Sequence, residues 1–193
     1  MRHGQYAAAF AACGYQVVAV DRQIDLLWEG VARSDAVHWV LADLRRLPLA
    51  DRFDGILARG VLNDMVAPSD LEGALLCVAG VLNEDGRFIA DVREREAHRA
   101  RVAARPVIER SAGDITFRAE RIMDDEGLIV SREQFARSGT WSPPFEFKMR
   151  TFTEKEVYRL WQGAGLEIVS VEPSFGPKSR LTDRLVVVAR RRR

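Results

Sequence analysis

The chain has 193 residues, 47% of them hydrophobic and 30% charged, with a formal net charge of +1. That length and balance suit one soluble globular domain with its own core, and they exclude a disordered chain or a strong whole-molecule attraction to polyanions. No apolar run approaches the ~20 residues of a membrane-spanning helix, no signal peptide is recognisable in Met1-Arg2-His3-Gly4 and the alanines after it, and a reducing cytoplasm fits two cysteines, Cys13 and Cys77, that read as small buried thiols on apolar helical faces.

In chain order, residues 6–13 are apolar and alanine-rich and predict a short buried helix, closed by Gly14 where a left-handed cap is wanted. Val17-Val18-Ala19-Val20 is a continuous apolar run, the mark of a strand covered on both faces, and it ends in Asp21. Residues 24–33 predict a helix carrying Leu26, Leu27 and Val31. The next strand, 37–41, runs into Ala42-Asp43-Leu44. After a loop at Leu47-Pro48-Leu49, residues 53–58 form a further strand that ends at Arg59-Gly60. Pro68 and Ser69 open a helix, with Ser69 and Glu72 at capping-box spacing and Leu71, Ala74, Leu75, Val78 and Leu82 as its apolar stripe. Asn83-Glu84-Asp85-Gly86 is a turn and 87–92 a strand. This alternation argues for a parallel sheet with helices on both faces.

After Arg110 the pattern changes. Residues 114–123, 128–135 and 145–152 read as extended segments with no helix between them, and Asp124-Asp125-Glu126-Gly127 is a hairpin signal. The expectation is an antiparallel insert, 111–152, within a single domain of 1–193. Thr153 and Glu156 make a second capping box. Val157, Leu160, Trp161 and Ala164 follow at helical spacing, and Gly165 stops the helix. Residues 166–171 and 185–189 are the closing strands, and 190–193 a short basic end.

In an open parallel sheet, ligands sit beyond the carboxyl ends of the strands, and an acid about twenty residues after a glycine-rich turn can accept both ribose hydroxyls of a nucleoside. Asp21 ends its strand in that manner, although no glycine-rich turn precedes it. The order Gly14-Tyr15-Gln16-Val17-Val18-Ala19-Val20-Asp21, then Leu41-Ala42-Asp43, Phe53-Asp54-Gly55-Ile56-Leu57, Val81-Leu82-Asn83-Glu84-Asp85-Gly86-Arg87-Phe88-Ile89, and Phe152-Thr153 to Gly165-Leu166 resembles class I S-adenosylmethionine-dependent methyltransferases. It is nearest the small-molecule branch that carries an antiparallel insert before the last helix, and the resemblance spans nearly the whole chain.

The resemblance implies a Rossmann-like, doubly wound, mostly parallel α/β sheet, truncated at the N-terminus, with S-adenosyl-L-methionine as cofactor. It implies that Asp21, with Arg22 beside it, holds the ribose hydroxyls. Asp43 would lie near the adenine amino group, Leu44 would donate its backbone amide to the ring, and Arg59 would lie beside the cofactor. Asn63 and Asp64 then fall where cofactor and substrate meet, with Arg93, Trp141 and Arg150 as further substrate candidates at the mouth and on the insert. A carboxylate suits vicinal hydroxyls because it only accepts hydrogen bonds. No residue is singled out as an essential base. Methyl transfer from a sulfonium is an in-line displacement that depends mainly on positioning and a dry pocket, and a base is needed only for a protonated nucleophile.

Family members begin with a strand and an Asp-x-Gly-x-Gly-x-Gly turn, and Met1-Arg2-His3-Gly4 resembles only the residues just after that turn. A start codon assigned too far downstream is expected in preference to a shortened paralogue. Weak or undetectable cofactor binding is expected of the chain as written, because a missing central strand leaves its neighbours with unpaired amides and carbonyls. The expected function is methylation of an oxygen or nitrogen of a small metabolite. Alternatives are a non-catalytic relative that binds a partner protein and, more weakly, an RNA methyltransferase using the arginine-rich run 93–110. Glu94, Glu96 and Glu109 interleave with that run, so a solvated helix face and no nucleic-acid partner are expected. The insert is a candidate lid or homodimer face. Ser142-Pro143-Pro144-Phe145 resembles the Pro-Pro-aromatic motif of DNA amino-methyltransferases but lies inside the insert, where it reads as a rigid turn. His3, His38 and His98 have no metal-ligand spacing.

Overall fold

Helices and strands alternate through the first half of the chain, as the apolar runs require. In order come α1 Gln5–Ala12, β1 Val17–Asp21, α2 Ile24–Val31, β2 Val37–Leu41, a 3-10 turn at Leu44–Arg46, β3 Phe53–Arg59, a second 3-10 turn at Leu62–Asp64, α3 Pro68–Val81, β4 Leu82–Arg93 and α4 Arg95–Ala104. The second half holds β5 Val107–Ala112, β6 Ile115–Met123, β7 Leu128–Arg137, β8 Thr140–Trp141, β9 Phe145–Arg150, α5 Glu154–Gly163, β10 Leu166–Glu172 and β11 Arg184–Arg191. The structure is a computed structural model that describes residues 4–50, 52–175 and 182–192. Met1-Arg2-His3 and Arg193 therefore lie outside the described residues.

β1 and β2 pair in parallel, from Val17 opposite Val37 to Asp21 opposite Leu41. A four-stranded sheet has the order β10-β11-β4-β3, with β3 and β4 parallel and β11 antiparallel to both β4 and β10. The insert is an antiparallel sheet, β5-β6-β7-β8, with β9 also paired to β7. Its strands begin at Val107, ahead of the expected 111. The core forms where α3 and α5 lay their apolar stripes on the four-stranded sheet: Leu71, Leu75 and Val78, then Phe88, Ala90 and Val92, then Val157, Leu160 and Trp161. Trp161 stacks on Phe88 with ring centroids 6.3 Å apart.

Several local expectations are corrected. α1 forms but contains no buried residue, and every residue of β1 is only half-buried. Among the described residues β1 pairs with β2 alone, so these apolar runs meet a two-stranded sheet and not a covered interior. Cys13 is accordingly exposed and Cys77 half-buried. The Ser69/Glu72 capping box does not form. Pro68 is already the first helical residue, Ala67 is the N-cap, and no side chain caps it; proline at that position sets φ and has no amide to satisfy. Residues 83–86 fall within the bounds of β4 but leave the pairing: the register runs from Phe53 opposite Leu82 to Gly55 opposite Arg87, so the four of them stand opposite Asp54 alone and the expected turn is an excursion inside the strand.

Candidate functional site

Asp21 is the last residue of β1, and Asp43 follows two residues after β2 ends, so parallel pairing puts both acids at one end of the pair. Asp21 turns the chain into α2 by accepting the Gln23 amide at 2.9 Å. Asp43 caps the first 3-10 turn, accepting the Arg45 amide at 2.9 Å. The Arg45 guanidinium closes on the same carboxylate at 2.6 Å and on Asp70, in the first turn of α3, at 2.8 Å. Arg45 thereby holds the Asp43 carboxyl down at a pKa of about 2, mainly through the side-chain hydrogen bond. Leu44 opens this turn, and the first amides of any helical turn lack a partner within it.

The carboxyl ends of β3 and β4 form a second group. Gly60 turns the chain with φ 67, a conformation that a side chain would strain. Its amide donates to Asp91 Oδ1 at 2.6 Å. The other oxygen of this buried carboxylate takes Arg184 Nη1 at 2.8 Å, and the same nitrogen lies 3.4 Å from Asn63 Oδ1. Asn63 Nδ2 donates to the Arg150 carbonyl at 2.7 Å, which fixes the root of the insert to the loop after β3. The Arg150 guanidinium lies 3.4 Å from Glu156 and over the Phe152 ring. Burial lowers the Arg93 pKa to about 10, with Arg184 adding repulsion. The Asp64 carboxyl is pushed up by the protein around it, against the pull of Arg93, Arg22 and Arg184. Asn63, Asp64, Arg93 and Arg150 are thus brought together. Arg59 lies between two rings, 4.8 Å from Tyr6 and 4.5 Å from Phe175. Trp141 stands apart at the far tip of the insert, opposite Ala136.

Sequence reasoning missed one buried cluster. His98 Nδ1 is 2.6 Å from Asp183 Oδ2, and Arg101 reaches the same oxygen at 2.9 Å. Burial lowers the His98 pKa. Burial alone would raise Asp183, but the His98 hydrogen bond and Arg101 hold it well below the usual carboxylate range. His98 and Val102 share the buried face of α4, a helical spacing that could have marked the histidine. Nothing local marks Asp183, whose partners lie 85 and 82 residues away. Of the α4 arginines, Arg101 stays exposed, as a solvated face would have it, yet each has a partner: Arg95 reaches Glu156 of α5 at 2.6 Å, Arg99 donates to the Asp124 and Asp125 carbonyls of the insert, and Arg101 is held by Asp183, just ahead of β11. Among the described residues no group of three or more His, Cys, Asp or Glu could hold a metal ion.

The arrangement offers hydrogen-bond acceptors beyond β1 and β2 and a guanidinium-rich polar cluster beyond β3 and β4, as two groups at strand carboxyl ends. Residues 2–90 match a family model described as a methyltransferase domain. No curated protein matches the chain. Among solved structures, the CcbJ methyltransferase from Streptomyces caelestis is similar with a TM-score of 0.82 and 18% identity, over 99% of this chain and 80% of that one. An S-adenosylmethionine-dependent methyltransferase from Clostridium acetobutylicum gives 0.78 and 20%, over 93% and 76%. CalS10, an amino pentose methyltransferase from Micromonospora echinaspora solved with S-adenosylmethionine bound, gives 0.71 and 16%, over 98% and 79%. The α/β fold class and the methyltransferase resemblance read from the sequence are borne out.

Proposed function

We propose that this chain, which carries the methyltransferase fold and the family's sequence pattern over residues 2–90, is an S-adenosylmethionine-dependent methyltransferase acting on an oxygen or nitrogen of a small molecule. The observation that carries the reading is the position of Asp21 and Asp43 at one end of the parallel β1–β2 pair. Ligands of open α/β sheets bind beyond that end. Two carboxylates fit the donor groups of an adenosyl moiety: Asp21 accepts from the ribose hydroxyls, with Arg22 beside it, and Asp43 from the adenine amino group, while the Leu44 amide donates to the ring. Arg45 keeps Asp43 ionised, so it stays an acceptor through the neutral range. Arg59, at the end of β3, is assigned to the cofactor by the same reading.

When bound, S-adenosylmethionine supplies an electrophilic methyl group on a sulfonium. The chain's task is to orient the acceptor and exclude water. Asn63, Asp64, Arg93 and Arg150, gathered near the ends of β3 and β4, are the residues this reading assigns to the acceptor. Asn63 is tied to the Arg150 carbonyl and lies near Arg184, and Asp64 is the carboxylate of the group. That CalS10 is an amino pentose methyltransferase supports a small-molecule acceptor.

Heteronuclear NMR titration with S-adenosylhomocysteine tests the reading and detects weak binding. Saturable shifts centred on the amides of Asp21, Arg22, Asp43 and Leu44 are expected, and Asp21→Asn is expected to weaken binding about tenfold, the loss of a charge-assisted hydrogen-bond pair. A folded protein showing no such shifts at millimolar ligand overturns it.

A further inference from the structure

The insert carries a feature that the methyl-transfer reading does not use. Phe117 lies opposite Phe135 in the β6–β7 register, and Phe145 opposite Glu133 in the β7–β9 register, so the three rings share one face of the sheet. Ring centroids are 5.1 Å apart for Phe117 and Phe135 and 6.1 Å for Phe135 and Phe145, the latter pair inclined by only 14°. Phe135 and Phe145 are each 45% exposed. The opposite face of β6 and β7 carries Arg118, Glu120, Arg132 and Gln134, as a solvent face should. The rings are therefore on the other side, the one that becomes interior. Followed inward along β7, that face carries buried Ser131 and Ile129. Along β9 the strand leads from Phe145 to Arg150, whose carbonyl holds Asn63. Five residues of strand cover about 17 Å.

We propose that this aromatic ladder is a stacking platform for a flat aromatic portion of an extended methyl acceptor. The inference rests on the methyltransferase reading and names the acceptor's class: a molecule whose reacting atom and aromatic portion are separated by about 17 Å or less. Its distant part would bind at the rings, so that binding energy far from the reacting atom positions it. The platform is built in advance of a ligand. Ser142 accepts the Phe135 amide with its hydroxyl at 3.1 Å and donates its own amide to the Phe135 carbonyl at 2.7 Å. The two prolines after Ser142 then present Phe145 beside Phe135. A shallow, open depression at the edge of the sheet touches Phe135, with Ile115 and Trp141 beside it. A second copy of the chain fits less well. The exposed apolar side chains at this tip amount to roughly 350 Å², on the scale of 150–250 Å² for a whole aromatic side chain, short of the roughly 450 Å² that is the apolar share of the about 800 Å² each partner gives a stable interface.

The test uses 2-naphthol as the flat probe, titrated into the full chain by fluorescence, with Phe135→Ser, Phe145→Ser and, on the opposite face, Ile122→Ser (71% exposed) as control. Saturable binding is expected, weakened fivefold or more by each phenylalanine substitution and unchanged by the control, with circular dichroism the same in all four proteins. Equal binding to all four, or none to the wild type, overturns the platform. So does a dimer in sedimentation equilibrium that Phe135→Ser dissolves, which would assign the face to a second copy. Should a substitution alter the circular dichroism, naphthol-induced NMR shifts on the unsubstituted chain decide, expected at Phe117, Phe135 and Phe145 and contrary if found elsewhere. The titration needs no cofactor. Naphthol binding without S-adenosylhomocysteine shifts sinks the methyltransferase reading, and the reverse result sinks the platform alone.

Discussion

Asp183 is a carboxylate with a side chain only 5% exposed, faced by His98 on one side and by Arg101 and Arg93 on the other. Removing one partner of such a cluster leaves charge uncompensated inside the protein. Asp183→Asn is expected to destabilise the fold by on the order of 3 kcal/mol, read as a lower urea midpoint at unchanged m-value. The pH dependence comes from two shifts of the same sign. Burial lowers the His98 pKa in the fold, while the unfolded chain takes up that proton near 6.5. Between the two values the unfolded state binds more protons, so stability falls as pH falls below about 6.5. Asp183 is lowered from 3.8 in the fold, so its contribution is present above 3.8 and lost on further acidification. The melting temperature should therefore decline between pH 7 and 5, before most carboxylates titrate, and His98→Gln should flatten that interval. Parallel profiles for the two proteins would remove His98 as the cause. Asp21 and Asp43 were legible because each comes directly after an apolar run. Asp183 was not, because its meaning comes wholly from partners distant in the chain.

At the scale of elements, the two expected capping boxes separate local signal from tertiary outcome. In α5, Thr153 accepts the Glu156 amide at 3.2 Å while Glu156 accepts the Thr153 amide at 2.8 Å. In α3 the same spacing is silent, because Pro68 begins the helix two residues earlier than that box requires and Ala67 takes the cap position. Thr153→Ala should therefore cost about 1 kcal/mol, and Ser69→Ala should fall within about 0.5 kcal/mol of the wild type, both by chemical denaturation; equal losses would show that the α3 box forms after all. Strand and helix existence was legible nearly throughout, because periods of 2 and 3.6 survive in β6, β7 and α5. What escaped was set by neighbours. The excursion at 83–86 lies inside β4 because pairing with β3 resumes on both sides of it. The contacts of Arg95, Arg99 and Arg101 answer acids and carbonyls contributed by α5, the β6–β7 turn and Asp183 ahead of β11. The Phe117–Phe135–Phe145 ladder exists only once the strand registers are known.

Across the whole molecule, packing is uneven in a way that bears on function. The main core cluster starts at Ala58 and draws on β3, α3, β4, α5, β10 and β11; from the first fifty residues only Leu44 packs against it. The half that carries Asp21 and Asp43 thus rests on a two-stranded sheet with exposed Tyr6, Phe10 and Trp28; its ties to the rest include Arg59 of β3 over the Tyr6 ring and Arg45, which bonds Asp70 and lends its carbonyl to the Cys77 thiol at 3.3 Å. Local opening should cost less there than in the core sheet, since few buried apolar contacts hold it. Native-state hydrogen exchange should find amides of β1 and β2 about tenfold or more less protected than those of β4 and β11. Arg45→Ala should widen that gap without changing β4, whereas uniform protection would mean that the two parts unfold as one unit. A ligand gripping Asp21 and Asp43 binds the closed form of this weaker part alone, so mass action predicts selective protection of β1 and β2. With S-adenosylhomocysteine at ten times its dissociation constant, that gain is about 1.4 kcal/mol, a roughly tenfold slowing of β1–β2 exchange that matches the gap to the core sheet.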